Sequence, residues 1–309
     1  MLLYTIKRLG WAVLTLWVII TITFILMHSI PGNPFAQEGT MPKAIYDNLQ
    51  SYYNLDKPLI VQYGLYLKAL IQFDFGPSLK SSSISVNDYI TNGFPVSLHL
   101  GAQALLIAIT FGLILGVIAS LYRNQIPDYL SMILAIIGIS VPSFILATFL
   151  MNFLAVEFQI FPVATWKSWS HTVLPSVSLA MMPLAYIARL MRSSMLEVLS
   201  QDYIITAKAK GLKRNVIIIK HAIRNAILPV ITVLGILTAN LVTGSFIIES
   251  IFGIPGMGEM FVTGISNRDY PVILGSTVFY SAILIFLIFL VDIAYTWIDP
   301  RIKVTGESK

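Results

Sequence analysis

Apolar positions along this chain gather into six long runs, each near or above the roughly 20 residues that a helix needs to cross a bilayer. They are Leu9–Ile30, Ser97–Tyr122, Tyr129–Val156, about Thr172–Met191, Ala226–Ile248 and Pro271–Ile298. The first holds no charged residue. The third contains Pro142, the fourth Pro175 and Pro183, and the sixth Asp292. These three are expected to be interrupted, as spans are where neighbouring helices or a cavity re-satisfy the freed carbonyls. The pattern predicts an all-α polytopic membrane protein with six transmembrane helices.

The segments between the runs divide the chain further. Residues 1–30 form the first helix, 31–95 an extracytoplasmic segment, 96–304 the helical core and 305–309 a tail. The second of these contains PGNPF (Pro31–Phe35), NLDKPLIVQYGLYL (Asn54–Leu67) and FDFGPSL (Phe73–Leu79), where turn residues alternate with amphipathic stretches. A connection of roughly 65 residues is long for an idle linker, so an ordered cap on the outer surface is expected. Lys7 and Arg8 precede the first run, which is too long for a signal-peptide core and is read as a retained span.

Composition points to the same solvent. Of the 309 residues 56% are hydrophobic and only 11% charged, with a mean hydropathy of +0.79, against about 25% charged in ordinary soluble domains. Too few polar side chains remain to cover a water-facing surface. There is no cysteine, which excludes disulfides and thiolate metal sites. His28, His99, His171 and His221 are scattered and form no metal-ligand spacing. Paired acids, a Ser–Lys pair or a metal motif within the runs, which an intramembrane enzyme needs, are missing too.

The net charge of +5 concerns orientation, not nucleic acid. Lys7, Arg8, Arg123, the segment Ser193–Asn225 and Arg301, Lys303 and Lys309 fall on one side of a six-span chain, and only Lys167 and Arg268 lie in the short connections of the other. Lys/Arg-rich connections stay cytoplasmic, so both termini are expected there.

Ser193–Asn225 is a basic island with six Lys/Arg against two acids. Ser200 or Asp202 is placed to cap a helix from Tyr203 to Lys210, and Gly211 to end it in a left-handed conformation. A second helix, about Arg214–Arg224, follows. Thr206, Ala207 and Ala209 are small enough to allow a close approach to a partner surface. Read by pattern alone, the island is either a docking element or a basic helix held by anionic lipid.

Ile205–Gly211, read as Ile-Thr-Ala-Lys-Ala-Lys-Gly, resembles the EAA loop of ABC-importer permeases. Ile205 stands in for the family's Glu, Thr206 and Ala207 for its two Ala, and Gly211 for its Gly; the closing Leu-Pro, Leu228-Pro229, lies further on than the general pattern has it. Both departures resemble the peptide/nickel branch of the family. So do IFGIPGMGEMFVTGISNRDYPV (Ile251–Val272), YTWIDPRIKV (Tyr295–Val304), GFPVSLHLGAQA (Gly93–Ala104) and the three motifs of the extracytoplasmic segment. Jointly these span nearly the whole chain and are similar to the B-type permease subunits of oligopeptide importers.

The resemblance implies a type I ABC-importer permease fold in the bacterial inner membrane and a five-part machine. A second, C-type permease subunit would complete the pathway, two cytoplasmic ATPase subunits would bind ATP and Mg, and an extracytoplasmic peptide-binding protein would deliver peptide; dipeptides or nickel complexes are the alternative cargo. This chain would bind no cofactor itself and catalyse nothing. It has no Gly-Lys dipeptide, hence no phosphate-binding loop of the GxxxxGK type. The ATPase-coupling residues expected are Ser200, Asp202, Tyr203, Thr206, Ala207, Lys208, Ala209, Lys210, Gly211 and Leu212. Polar residues within the runs, Gln103, Ser140, Ser143, Asn152, Asn240, Thr243 and Ser245, are candidates for lining the path, the alternative being helix–helix hydrogen bonds. Asp292 lies about seven residues before Asp299, about 10 Å at helical rise, and is expected to reach the interface or to pair with a cytoplasmic Arg; Glu249 is expected at the external gate region. A transporter working alone would need an ion relay within the spans, for which only Asp292 is available.

Overall fold

The computed structural model describes residues 2–29, 43–80, 84–242 and 245–298, and of Asp292 only the backbone. PGNPF, Thr243 and the tail beyond residue 298 lie outside the described residues. The elements are α1 (Leu2–Ser29), α2 (Lys43–Tyr52), α3 (Leu59–Ile71), α4 (Val86–Leu121), α5 (Ile126–Ser140), α6 (Ser143–Leu150), α7 (Trp169–Leu199), α8 (Asp202–Ala209), α9 (Arg214–Val216), α10 (Arg224–Ala226), α11 (Leu228–Val242), α12 (Phe246–Ile251), α13 (Met257–Asn267) and α14 (Tyr270–Ile298). α6 runs on as a π-helical stretch, Met151–Glu157, and a second one, Ile217–Ile223, joins α9 to α10.

The chain separates into two compact units. The described part of the first comprises 2–29, 43–80, 84–95 and 259–289; that of the second, 96–242, 245–258 and 290–298.

In the second unit α7 is the central helix, with α5, α6 and α11 packed on it. Its contact with α4 depends on missing side chains: a Cβ on Gly112 would lie 2.8 Å from Ile187 Cγ2, and one on Gly116 2.6 Å from Met191 Cβ. This Gly-x-x-x-Gly spacing lets two helices approach closely where lipid supplies no hydrophobic drive. Leu100, Ala104, Leu184, Ile187 and Met191 fill the core around it.

In the first unit Phe24 and Met27 of α1 cluster with Tyr270, Ile273 and Leu274 of α14, and Tyr63 and Tyr66 of α3 close over them. Asp269 precedes α14. It accepts hydrogen bonds from the Ser78 hydroxyl and, at 3.1 Å, from the Leu79 N–H, which ties the FDFGPSL segment down. The Asn54–Leu67 motif is a turn followed by α3.

Two of the six expected crossings are not single helices. Among the described residues, four helices are long and apolar enough to span, in α1, α4, α7 and α14. The third run bends by 108° between Ser140 and Ser143. Pro142 disfavours the helical region for the residue before it, and Val141 adopts φ −90° and ψ 120°, so α5 must end there. The fifth bends by 50° between Ala226 and Leu228, and its last described helical residue is Val242, with Ile248 belonging to α12. The interruptions expected in the fourth and sixth runs do not occur. α7 continues through Pro175 and Pro183, both buried among neighbours that hold the helix from the side, and α14 continues past position 292.

Candidate functional site

The basic island folds as a helix, a tight turn and a second helix. α8 begins at Asp202, but neither Ser200 nor Asp202 caps it: the N-cap position is Gln201, with no side-chain hydrogen bond. Its end is the stronger feature. Gly211 sits at φ +75°, the Gly211 N–H donates to Lys208 O at 3.0 Å, and the Leu212 N–H donates to Ala207 O at 3.3 Å. This pair of bonds is a Schellman motif, and it takes a glycine because a Cβ is crowded in the left-handed region.

One face of α8 is held within the chain. Ile204 and Ala207 are buried against Ile217 of the following π-helical stretch, with Val198 of α7 alongside. The small side chain of Ala207 therefore serves this internal contact and is not open for approach by another polypeptide. The opposite side is exposed: Ser200, Asp202, Tyr203, Ile205, Thr206, Lys208, Ala209, Lys210, Gly211 and Leu212 all face out. Ile205 is 58% accessible, Tyr203 43% and Leu212 40%. Exposed apolar side chains interspersed with Lys208 and Lys210 are thus presented by a helix braced through Ile204 and Ala207. Beneath it, Ser120, Leu121, Leu199, Lys208, Leu212 and Arg214 border a cavity of about 420 Å³.

The described candidate path-lining residues lie on separate elements. Gln103 is buried in α4, its Oε1 without a protein hydrogen-bond partner. Ser140 and Ser143 flank the bend, the first exposed and the second half-buried. Asn152 is exposed on the π-helical stretch after α6, Asn240 is exposed on α11, and Ser245 is half-buried at the start of α12.

Two family models cover the chain: "Binding-protein-dependent transport system inner membrane component" matches residues 108–304, and the N-terminal model of the same transport-system membrane component matches residues 1–101. The chain belongs to this permease family. The dipeptide transport system permease protein DppB of Bacillus subtilis is 59% identical over 97% of both chains. The oligopeptide transport system permease protein OppB is 44% identical in Haemophilus influenzae and 41% in Escherichia coli K12, over 98% of this chain and 100% of each relative. Among solved structures, the MetNI methionine ABC transporter in an inward-facing conformation matches 68% of this chain and 96% of its own, with a TM-score of 0.58 at 18% identity. That likeness shows the fold.

The permease carries two polar constellations that the sequence reading did not find. Asp128, at the start of α5, receives Arg192 of α7 through two hydrogen bonds, and its Oδ2 also accepts the Asn124 N–H at 2.9 Å. Glu249 of α12 is fully buried, where sequence placed it at the end of a span. Its Oε1 accepts the Ser97 hydroxyl at 2.8 Å and its Oε2 the Gly258 N–H at 2.7 Å, and the Ser97 oxygen in turn accepts the Met257 N–H at 2.9 Å. A carboxylate thus sits at the N-terminus of α13, where backbone N–H groups favour negative charge. Both partners are far away in sequence. The one local signal was an acid beside or within an apolar run, which marks a residue that has a buried partner.

Proposed function

We propose that this permease is a membrane subunit of an ATP-driven peptide importer, and that α8 is where force from a separate ATPase enters it. The exposed apolar side chains of Tyr203, Ile205 and Leu212 carry this reading. Several such side chains on and just after a short basic helix are unsuited to water, and a polypeptide partner would bury them. Because α8 is braced through Ile204 and Ala207 and joined to α7, a push on it is passed to the spans and is not absorbed by the loop. ATP and Mg bind the partner ATPases, whose closure tilts α7 and α11 and switches the path between inward-open and outward-open states. A second permease subunit supplies the other half of that path, and an extracytoplasmic binding protein delivers the cargo. The Lys/Arg distribution supports an inner-membrane topology with both termini and α8 in the cytoplasm.

The relatives named for dipeptides and for oligopeptides support a cargo of the peptide class. Identity of 59% to a dipeptide permease favours dipeptides as a second reading beside oligopeptides.

The deciding experiment replaces Ile205 by Asp in the assembled importer. Membrane insertion should be normal while co-purification of the ATPases and uptake of labelled peptide are lost. Uptake at the unaltered rate would exclude α8 as the coupling element. Competition with unlabelled peptides of increasing length then separates the two cargo readings.

A further inference from the structure

We infer that α3 is an interfacial helix seated in the lipid leaflet at the Ser29 end of α1, its outward face in contact with the bilayer itself. The first observation is the face. Ile60, Val61, Gly64, Leu65, Lys68 and Ile71 form one stripe along the helix, and none of its residues is buried. Ile60 is 76% accessible and Ile71 80%, and Phe73 just beyond the helix is 77% accessible. A helix lying on a protein in water turns its polar side outward. Here the outward side is the apolar one, with Lys68 as its single charge.

The second observation is depth. The inner face of α3 is attached to α1 well below that helix's end. The hydroxyls of Thr21 and Tyr63 share a hydrogen bond of 2.6 Å, Tyr66 stacks on Phe24 at 5.9 Å, and His28 Nε2 bonds Gln62 Oε1 at 3.1 Å. Thr21 precedes Ser29 by eight residues, about 12 Å along a helix. The apolar stretch Thr5–Ser29 has 25 residues, about 37 Å, against a hydrocarbon thickness of about 30 Å. If it is centred in the bilayer, only its last few residues project into the headgroups, and Tyr63 and Tyr66 reach the acyl boundary. Tyrosine is enriched at that level, and Lys57 and Lys68 have stems long enough to carry their charges to water. The exposed stripe is also continuous in character with the lipid-facing Trp17, Ile22, Ile25 and Leu26 of α1. Lipid is therefore the occupant that both depth and chemistry select. The inference rests on α1 crossing the membrane and not on the coupling role of α8.

The chain has no cysteine, so single labelling sites can be introduced cleanly. Ile60→Cys and Ile71→Cys, each carrying an environment-sensitive fluorophore, are reconstituted as the whole importer in phosphatidylcholine vesicles with brominated acyl chains. Leu106→Cys in α4 serves as the lipid reference and Lys167→Cys, exposed and away from α8, as the water reference. Labels at 60 and 71 should lose at least about twofold more emission to bromolipid than the label at 167, and should be shielded from aqueous iodide, as expected of a helix immersed about 5–10 Å into the interface. Iodide quenching equal to that at 167, without bromolipid quenching, would overturn the inference. So would shielding that arises only when the peptide-binding protein is added, since the face would then dock a protein. Peptide uptake by the Ile205→Asp importer leaves this result unaffected, which separates the two readings.

Discussion

Arg192 grips Asp128 with two edges of its guanidinium, Nε to Oδ1 at 2.6 Å and Nη2 to Oδ2 at 2.7 Å. The pair locks the start of α5 to α7 ten residues before α8 begins. A displacement of α8 carried by α7 therefore reaches α5 as well.

Removing either partner should be unequal in cost. Asp128 is 3% accessible and Arg192 26%. Arg192→Ala strands a buried carboxylate and should cost about 3 kcal/mol, whereas Asp128→Asn leaves a cation that can turn to water and should cost nearer to about 1 kcal/mol. Thermal unfolding midpoints of the detergent-solubilised subunit check the order. Equal losses would mean that the pair is not desolvated.

Ala207→Leu should behave unlike Ile205→Asp. The added atoms must fit between α8 and Ile217, which costs about 1–3 kcal/mol as overpacking. A lowered unfolding midpoint accompanies any loss of uptake in this variant, while Ile205→Asp keeps the midpoint. Unchanged stability of Ala207→Leu would contradict the buried contact seen here.

Gly211→Ala places a Cβ on a residue at φ +75°, at a cost of about 1–2 kcal/mol. The Schellman turn loosens, and the expected result is ATP hydrolysis that continues with less peptide moved per ATP. Gly211→Asn, which tolerates the left-handed region better, should lie between Ala and wild type. A coupling ratio identical in all three would remove the turn from the transmission path.

Ser97→Ala should cost about 2 kcal/mol by withdrawing one donor from the Glu249 carboxylate and an acceptor from the Met257 N–H. Gly256→Ala should be worse, because its Cβ would lie 2.5 Å from Glu249 Oε2 and 2.6 Å from Ser97 Oγ. Protease sensitivity around residues 252–258, compared with the wild-type subunit, reads out the loosening. Wild-type resistance in both variants would show that the network holds nothing in place.

Local chemistry made part of this fold legible in advance. Gly211 could be placed at the end of α8 because a glycine after a short small-residue helix is a stop signal that acts within one turn. The start of α8 was harder. Ser200 and Asp202 are both good caps, yet the chain places Gln201 at that position, so packing of Ile204 and Ala207 on Ile217 outweighed the preference for a capping side chain. Pro142 announced a break but not its 108°, an angle decided by how α5 and α6 each pack on α7. Pro175 and Pro183 carry the same local signal and break nothing; both are buried within α7. Glu249 and Ser97 are 152 positions apart, and no periodicity within a run can reveal such a partnership.

The elbow at Val141–Pro142 leaves the third crossing short. α5 has 15 residues, about 22 Å, less than the thickness of the oily layer. Backbone that leaves the helix at such depth is tolerated only against protein or a water-filled channel, since hydrocarbon offers it no hydrogen bond. Ser140 and Pro142 are exposed in the single chain. The elbow is thus a place where solitude in the bilayer is costly and a neighbouring polypeptide or a water-filled channel is rewarded.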